Sequence, residues 1–109
     1  MSLVSSRSSS NNHNLYFSKN ELSKILNLYS KGVSIGKWKD YAIDFNKNNA
    51  FFYIFKHTLA VPECVLNKSL EKKRKRIFFN LKSNNTNKKF ENLDLLISSL
   101  NRNIFELIN

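Results

Sequence analysis

The spacing of apolar residues changes after residue 36, and this change constrains the fold more than any other feature. Before it, apolar residues recur three or four positions apart, which is typical of one face of a helix. They are Leu22, Ile25, Leu26, Tyr29 and Val33. After it, apolar and polar residues alternate from Asp40 to Phe45, which is typical of a half-buried strand. The chain therefore predicts an α+β fold that begins with a helix.

Both ends of the first helix have sequence signals. Ser18 is followed three residues later by Glu21, which is the spacing of a capping box. In that arrangement each side chain accepts a hydrogen bond from the backbone N–H of the other residue. Gly32 or Gly36 can supply the left-handed residue that ends the helix.

Further strands follow, separated by asparagine-rich turns at residues 46–49 and 84–87. Residues 51–55 are apolar on both faces and predict an interior strand. Residues 64–67 predict a weaker strand, with Pro62 at its beginning or at a sheet edge. Residues 76–83 alternate again, with Ile77, Phe79 and Leu81 on one side.

The chain ends with a predicted helix over residues 90–108. Asn92 or an earlier residue caps it, and residues 101–103 interrupt it. Its apolar stripe contains Leu93, Leu96, Ile97, Leu100, Ile104, Leu107 and Ile108. The predicted order is a helix, an antiparallel meander of three or four strands and a helix, with both helices on one face of the sheet.

The first residues differ in composition from the rest. Residues 1–16 are rich in Ser and Asn and contain no acidic residue, so they predict a disordered tail before a single domain at residues 17–109.

The sequence has no signal-peptide core and no run of about 20 apolar residues that could span a bilayer. The single cysteine, Cys64, excludes an internal disulfide. We therefore expect a cytoplasmic protein that does not contact membranes.

The chain is strongly basic. It has 18 Lys and Arg residues against 8 Asp and Glu residues, which gives a net charge of +10. The abundance of Asn, Lys, Ile and Phe suggests a compositional bias that raises the lysine count. The same bias would favour Glu, which is not abundant, so the excess indicates an anionic partner.

Several basic residues are candidates for binding phosphate groups of RNA or DNA. Five are consecutive in "LEKKRKRIFF", and three more lie nearby in the chain. They are Lys68, Lys72, Lys73, Arg74, Lys75, Arg76, Lys88 and Lys89. Binding phosphates would release counterions and make affinity depend steeply on salt. The alternatives are a solvated loop between two strands and a nuclear targeting signal.

Residues for catalysis are scarce. Asp40 and Asp44 share one face of a strand, but the remaining acidic residues are single and scattered. His13 and His57 belong to no recognisable nucleophile pattern, and the two glycines cannot form a phosphate-binding loop. We therefore expect a protein that is not an enzyme and that uses no metal or cofactor.

One motif carries a family resemblance. It consists of Gly36, Trp38, Asp40, Tyr41, Ala42, Ile43 and Asp44. With the preceding helix and the later Ala50, Phe52, Phe55 and Pro62, it resembles an alphaproteobacterial family of small proteins catalogued as domain of unknown function 2794. The resemblance covers residues 17–82 well and the last helix loosely. It implies a glycine-led strand before that helix, where this chain has "NTNKKFENL", so that strand would be short or missing.

Two functional hypotheses follow. The first is a nucleic-acid-binding module that uses the basic residues, by analogy of element order with domains that bind double-stranded RNA. A variant is a stacking platform made of aromatic residues, most of which the core also needs. These are Phe51, Phe52, Tyr53, Phe55, Phe78 and Phe79. The second is a protein-interaction or regulatory adaptor that uses Trp38, Tyr41 or a sheet edge, with a homodimer as one form.

Overall fold

The computed structural model describes residues 13–57 and 61–106. The elements are α1 (Lys19–Ser34), β1 (Asp40–Phe45), β2 (Asn49–Phe55), β3 (Cys64–Glu71), β4 (Arg76–Ser83), β5 (Thr86–Phe90), α2 (Leu93–Asn101) and a π-helical turn (Arg102–Glu106). The predicted α+β order is confirmed. Residues 1–12 of the predicted tail lie outside the described residues.

The first helix begins and ends as its capping signals predict. The Ser18 hydroxyl accepts from the Glu21 N–H at 3.0 Å, and the Glu21 carboxylate accepts from the Ser18 N–H at 2.8 Å. At the other end Gly36 has a φ of 78°, so Gly36 and not Gly32 is the left-handed residue. The N–H groups of Gly36 and Lys37 bond to the carbonyls of Val33 and Gly32, which makes a Schellman motif.

The buried face of α1 differs slightly from the predicted stripe. Ile25, Leu28 and Gly32 are its buried residues. Val33, which the periodicity placed inside, is 43% exposed. The cause is Gly32, whose missing side chain leaves a place for Trp38 and so turns that helix face toward the sheet.

The sheet has five antiparallel strands in the order β1-β2-β3-β4-β5, so the prediction of three or four strands was too low. β3 is longer than predicted and occupies the centre of the sheet, since it continues to Glu71. Residues 68–71, which lie past the predicted strand at 64–67, therefore belong to β3. Only residues 72–75 form the turn to β4.

The fifth strand follows a two-residue turn. Asn84 and Asn85 have φ angles of 49° and 67°, which is the backbone that a tight hairpin turn requires. β5 then pairs with β4, from Thr86 opposite Ser83 to Phe90 opposite Phe79. Four of its five side chains are exposed, so it has no apolar alternation by which the sequence could mark it.

The last helix is shorter than predicted because β5 occupies its expected start. It begins at Leu93, after the Asn92 side chain accepts from the Leu95 N–H at 2.9 Å. The predicted interruption is confirmed, since the helix changes to π-helical geometry at Arg102. Leu107 and Ile108 of the predicted stripe lie outside the described residues.

Both helices pack on one face of the sheet and form the core there. The core residues are Ile25, Leu28, Trp38, Phe52, Ile54, Cys64, Leu66, Phe79, Leu81, Leu93, Leu96 and Leu100. The chain joins the sheet before the predicted boundary at residue 17. The Leu15 N–H bonds to the Asn46 carbonyl at 2.8 Å, and the rings of Tyr16 and Phe45 lie 4.5 Å apart.

Candidate nucleic-acid interface

The face of the sheet opposite the helices is called here the open face. Directly opposed residues of neighbouring antiparallel strands point to the same face. One such row crosses all five strands as Asp44, Phe51, Asn67, Asn80 and Lys89. The next row crosses as Ala42, Tyr53, Val65, Lys82 and Asn87. An acidic residue therefore lies at the β1 end and basic residues at the β4–β5 end.

The six aromatic residues considered for a stacking platform do not all lie on one face of the sheet. Phe52 is 0% and Phe79 is 5% exposed, and both belong to the core under the helices. The other four alternate with the core positions of β2 and β4 and therefore lie on the open face. They are Phe51, Tyr53, Phe55 and Phe78.

Polar side chains form a hydrogen-bonded chain across the open face. The Asn80 side-chain amide donates to the Asn67 side-chain oxygen at 2.9 Å. The Asn67 amide in turn donates to the Asn49 side-chain oxygen and the Ala50 carbonyl, both at 3.1 Å. These bonds fix the amide groups beside a shallow cavity of about 350 Å³ that Phe51 and Lys89 also line.

The basic hairpin, defined as residues 72–75 with Arg76, projects beyond its neighbours. Ser69 is the last residue of β3 that pairs with β2, and Phe79 is the first residue of β4 that pairs with β5. The residues between them have neither strand beside them. Residues 72–76 are all exposed. Lys75 has a φ of 52°, a left-handed conformation that costs a non-glycine residue about 1 kcal/mol.

Lys88 and Lys89 lie on β5 but point to opposite faces. Lys88 is opposite the core residue Leu81, whereas Lys89 is opposite Asn80 on the open face. The Lys89 ammonium lies 4.1 Å from the centre of the Phe78 ring. Arg76 precedes Asn80 by four residues, so at about 3.3 Å per residue it lies about 13 Å away along β4. Arg76 and Lys89 therefore lie on the same face of the sheet, about 13 Å apart along β4.

Lys68 does not belong to this group, which corrects its placement among the phosphate-binding candidates. It is 9% exposed and lies in a row between Ala50 and Phe79 on the helix-covered face. Its ammonium donates to Glu21 Oε1 and to the Tyr16 carbonyl, both at 2.8 Å. Lys68 therefore ties the start of α1 to the sheet and cannot also reach a phosphate.

Trp38 is likewise a core residue and not part of a binding surface. It is 3% exposed, and its ring lies so close to α1 that a Cβ on Gly32 would be 2.1 Å from Trp38 Cε3. Tyr41 is different, since it is 41% exposed while its ring stacks on Phe52 at 4.9 Å. Of the two aromatic residues proposed for an adaptor surface, only Tyr41 is therefore accessible.

The carboxylates of Asp40 and Asp44 accept hydrogen bonds from backbone N–H groups of β1, which is an edge strand of the sheet. The Tyr41 N–H donates to Asp40 Oδ1 and the Phe45 N–H to Asp44 Oδ1, each at 2.8 Å. Another strand that added to β1 would compete with these bonds, so the carboxylates protect the edge. Together with Gly36 and Trp38, they give the motif a structural explanation in strand protection, helix termination and packing.

The groups that could take part in catalysis are metal ligands and the thiol of Cys64. The described residues include no group of three or more His, Cys, Asp or Glu side chains that could hold a metal ion. Burial, reinforced by the nearby Glu63 carboxylate, raises the pKa of the Cys64 thiol to about 11. A thiol of that pKa is protonated near neutral pH and is a poor nucleophile.

No helix within residues 13–57 and 61–106 is long and apolar enough to cross a membrane.

Sequence reasoning missed three residues of the open face, namely Lys82, Asn67 and Asn80. A signal for two of them was available in β4. Once Ile77, Phe79 and Leu81 are assigned to the covered side, Asn80 and Lys82 must point the other way. Asn67 gave no comparable signal, because the sequence placed it at the end of a weak strand.

Fold and site define a two-layer α+β protein with two helices on one face of a five-stranded meander and a partly basic open face. The chain belongs to the family described as "Protein of unknown function (DUF2794)", whose sequence profile matches residues 15–92. Comparison with curated proteins gave no match, and comparison with solved structures gave none either.

Proposed function

We propose that this protein is a non-enzymatic module that binds RNA or DNA through phosphate contacts of the basic hairpin. The supporting observation is the projection of that hairpin. Its tip carries Lys72, Lys73, Arg74 and Lys75, all exposed and beyond the ends of the neighbouring strands. A projecting hairpin of this kind can approach a nucleic-acid backbone without a clash from the rest of the domain.

Charge supports the same proposal. Lys82 and Lys89 are exposed on the open face, as is Arg76 of the hairpin, whereas the exposed Lys88 points to the other face. Among the described residues, the ion pairs are Lys24–Asp94 and Lys68–Glu21, and neither involves these groups. Their positive charge is therefore available to phosphates. A protein of alphaproteobacterial origin, as the family resemblance implies, would meet both RNA and DNA in the cytoplasm, where the sequence places it.

The test is a titration of fluorescent RNA and DNA with the protein at about 50 and 200 mM salt. Binding is expected at the lower concentration and should weaken by orders of magnitude at the higher one, because several phosphate contacts release counterions. Replacing the four tip residues with Gln should lower both the affinity and the slope against salt.

A charge-matched control separates the hairpin from net charge. It replaces Lys31, Lys39, Lys56 and Arg102 with Gln, since these exposed residues lie at the ends of α1 and α2 or at the end of the sheet away from the hairpin. We expect this variant to retain most of the affinity. Equal losses in both variants, or the absence of binding by the wild type at 50 mM salt, would refute the proposal.

A second candidate function is a protein-interaction adaptor, and an apolar strip on β1 favours it. Tyr41, Ile43 and Phe45 are 41%, 40% and 41% exposed, and Tyr16 beside them is 48% exposed. Because Asp40 and Asp44 protect the strand edge, a partner would contact these side chains and would not add a strand. Light scattering distinguishes a homodimer on this strip, which Ile43→Lys should convert to a monomer.

A further inference from the structure

The open face has a second property that phosphate binding does not explain. Phe51 and Tyr53 lie side by side there with ring centres 5.7 Å apart and ring planes 19° from parallel. They are half-buried, and the helices cover the opposite face. Two nearly parallel rings on the uncovered face of a sheet can receive the face of a further planar ring.

Amide and basic side chains border this pair of rings on one side, and an acidic side chain borders it on the other. Asn67 and Asn80 follow Phe51 in its cross-strand row, and Lys89 ends the row at β5. Lys82 lies in the neighbouring row, beside Asn87 at the end of that row. On the other side Asp44 lies directly opposite Phe51. A polyanion on this face would therefore be held over β2 to β5, with its phosphates toward Lys82 and Lys89.

We infer that the open face binds single-stranded nucleic acid by stacking bases on Phe51 and Tyr53. Aromatic rings beside lysines are the arrangement by which proteins hold unpaired bases together with their phosphates. The Asn80 side chain, which is held in place by its bond to Asn67, can offer its oxygen and second N–H to a base edge. A duplex hides the faces of its bases, so it could contact only the basic groups.

This inference rests on the proposed function, and it adds the substrate class. The basic hairpin continues β4 past Phe78, so one strand could pass from the hairpin to the open face. The hairpin would then contribute affinity for any nucleic acid, and the aromatic pair would contribute the preference for unpaired bases.

The test measures fluorescence anisotropy with a uridine oligonucleotide of about 12 nucleotides and an RNA duplex of equal length. Phe51→Leu with Tyr53→Leu keeps apolar side chains but removes both aromatic rings. We expect this double variant to lose about tenfold in affinity for the single strand and to bind the duplex like the wild type. The salt slope should stay unchanged, because the lysines are intact.

Phe55→Leu is the matched control, because Phe55 is an open-face aromatic residue of β2 that lies past the last β2–β3 pair and so has no Asn or Lys in its cross-strand row. It should bind the single strand like the wild type. An NMR titration of wild-type protein needs no variant, and the oligonucleotide should shift the side-chain amide signals of Asn67 and Asn80.

The outcomes separate the two proposals. Loss of all binding in the hairpin variant together with wild-type binding by Phe51→Leu/Tyr53→Leu would leave the proposed function standing and overturn the inference. NMR shifts confined to residues 72–76 would overturn it as well. If the aromatic double variant instead converts a dimer to a monomer in light scattering, the face binds a second copy and the inference is wrong.

Discussion

The two faces of the sheet carry the same kinds of residue and use them differently. On the covered face Phe52, Phe79 and Lys68 are buried beneath α1 and α2. On the open face Phe51, Phe78 and Lys89 occupy the alternate positions of the same strands, or of the adjacent β5. A phenylalanine or lysine is thus buried or accessible according to the face of the sheet to which its position in the strand points.

The two lysines show the consequence most clearly. The Lys68 ammonium is held by a carboxylate and a carbonyl at 2.8 Å, and its side chain is 11% exposed. The exposed Lys89 ammonium lies over the Phe78 ring. Substitutions on the covered face should therefore change stability, and substitutions on the open face should change binding.

The largest effect is expected for Gly32→Ala on the covered side. A Cβ there would lie 2.1 Å from Trp38 Cε3, so either the ring or the helix must move. Overpacking of this severity should lower the free energy of unfolding by about 3 kcal/mol. Urea denaturation followed by the fluorescence of Trp38 measures the loss.

Gly36→Ala separates packing from backbone conformation. Gly36 has a φ of 78°, but a Cβ there would meet nothing within 4 Å. Its cost should be limited to left-handed strain of about 1 kcal/mol. If Gly32→Ala proved no worse than Gly36→Ala, the close contact between Trp38 and α1 would be refuted.

The next effect concerns the ion pair under the helices. Lys68→Met leaves the Glu21 carboxylate with only the Ser18 N–H, so part of a buried charge becomes uncompensated. Because Glu21 is 24% exposed, water limits the loss to about 2 kcal/mol in the free energy of unfolding. Chemical denaturation measures it, and the double variant Glu21→Gln/Lys68→Met should recover part of the loss.

Lys89→Gln is the matched substitution on the open face. It should leave the midpoint of denaturation unchanged and weaken oligonucleotide binding, whereas Lys68→Met should do the reverse. If Lys68→Met lowered the salt slope of binding, Lys68 would have to be returned to the phosphate-binding residues.

The sequence predicted the parts of this molecule that have strong local signals. The capping box, the left-handed stop and the alternation in β4 each define an element without help from distant residues. β5 could not be predicted in this way, because its exposed residues Asn87, Lys88 and Lys89 show no apolar period. It forms since the asparagine turn brings it back against β4.

The candidate site was only partly predictable for a related reason. A run of basic residues indicates charge, but only the length of β3 decides that Lys68 lies inside and residues 72–75 outside. Phe51 and Phe52 are adjacent in sequence, and their opposite roles follow from which face the helices cover. That choice depends on packing between elements distant in the chain.

The smallest effect is a pH dependence that belongs to the covered face. Burial raises the pKa of Cys64 from its ordinary 9.0 to about 11, so the folded state retains a proton that the unfolded chain loses. The free energy of unfolding should therefore fall between pH 9 and pH 11. We expect a loss of about 1 kcal/mol at pH 10, absent from Cys64→Ala.

Thiol labelling tests the same contrast between faces at neutral pH. Cys64 is 2% exposed, so it should react with a thiol reagent only after unfolding. Ser69→Cys in the Cys64→Ala background places the thiol in the same strand, five residues further along and on the open face. That thiol should react readily in the folded protein. Similar rates for the two cysteines would mean that the helices do not shield one face of the sheet, and the distinction between structural and accessible residues would fail with it.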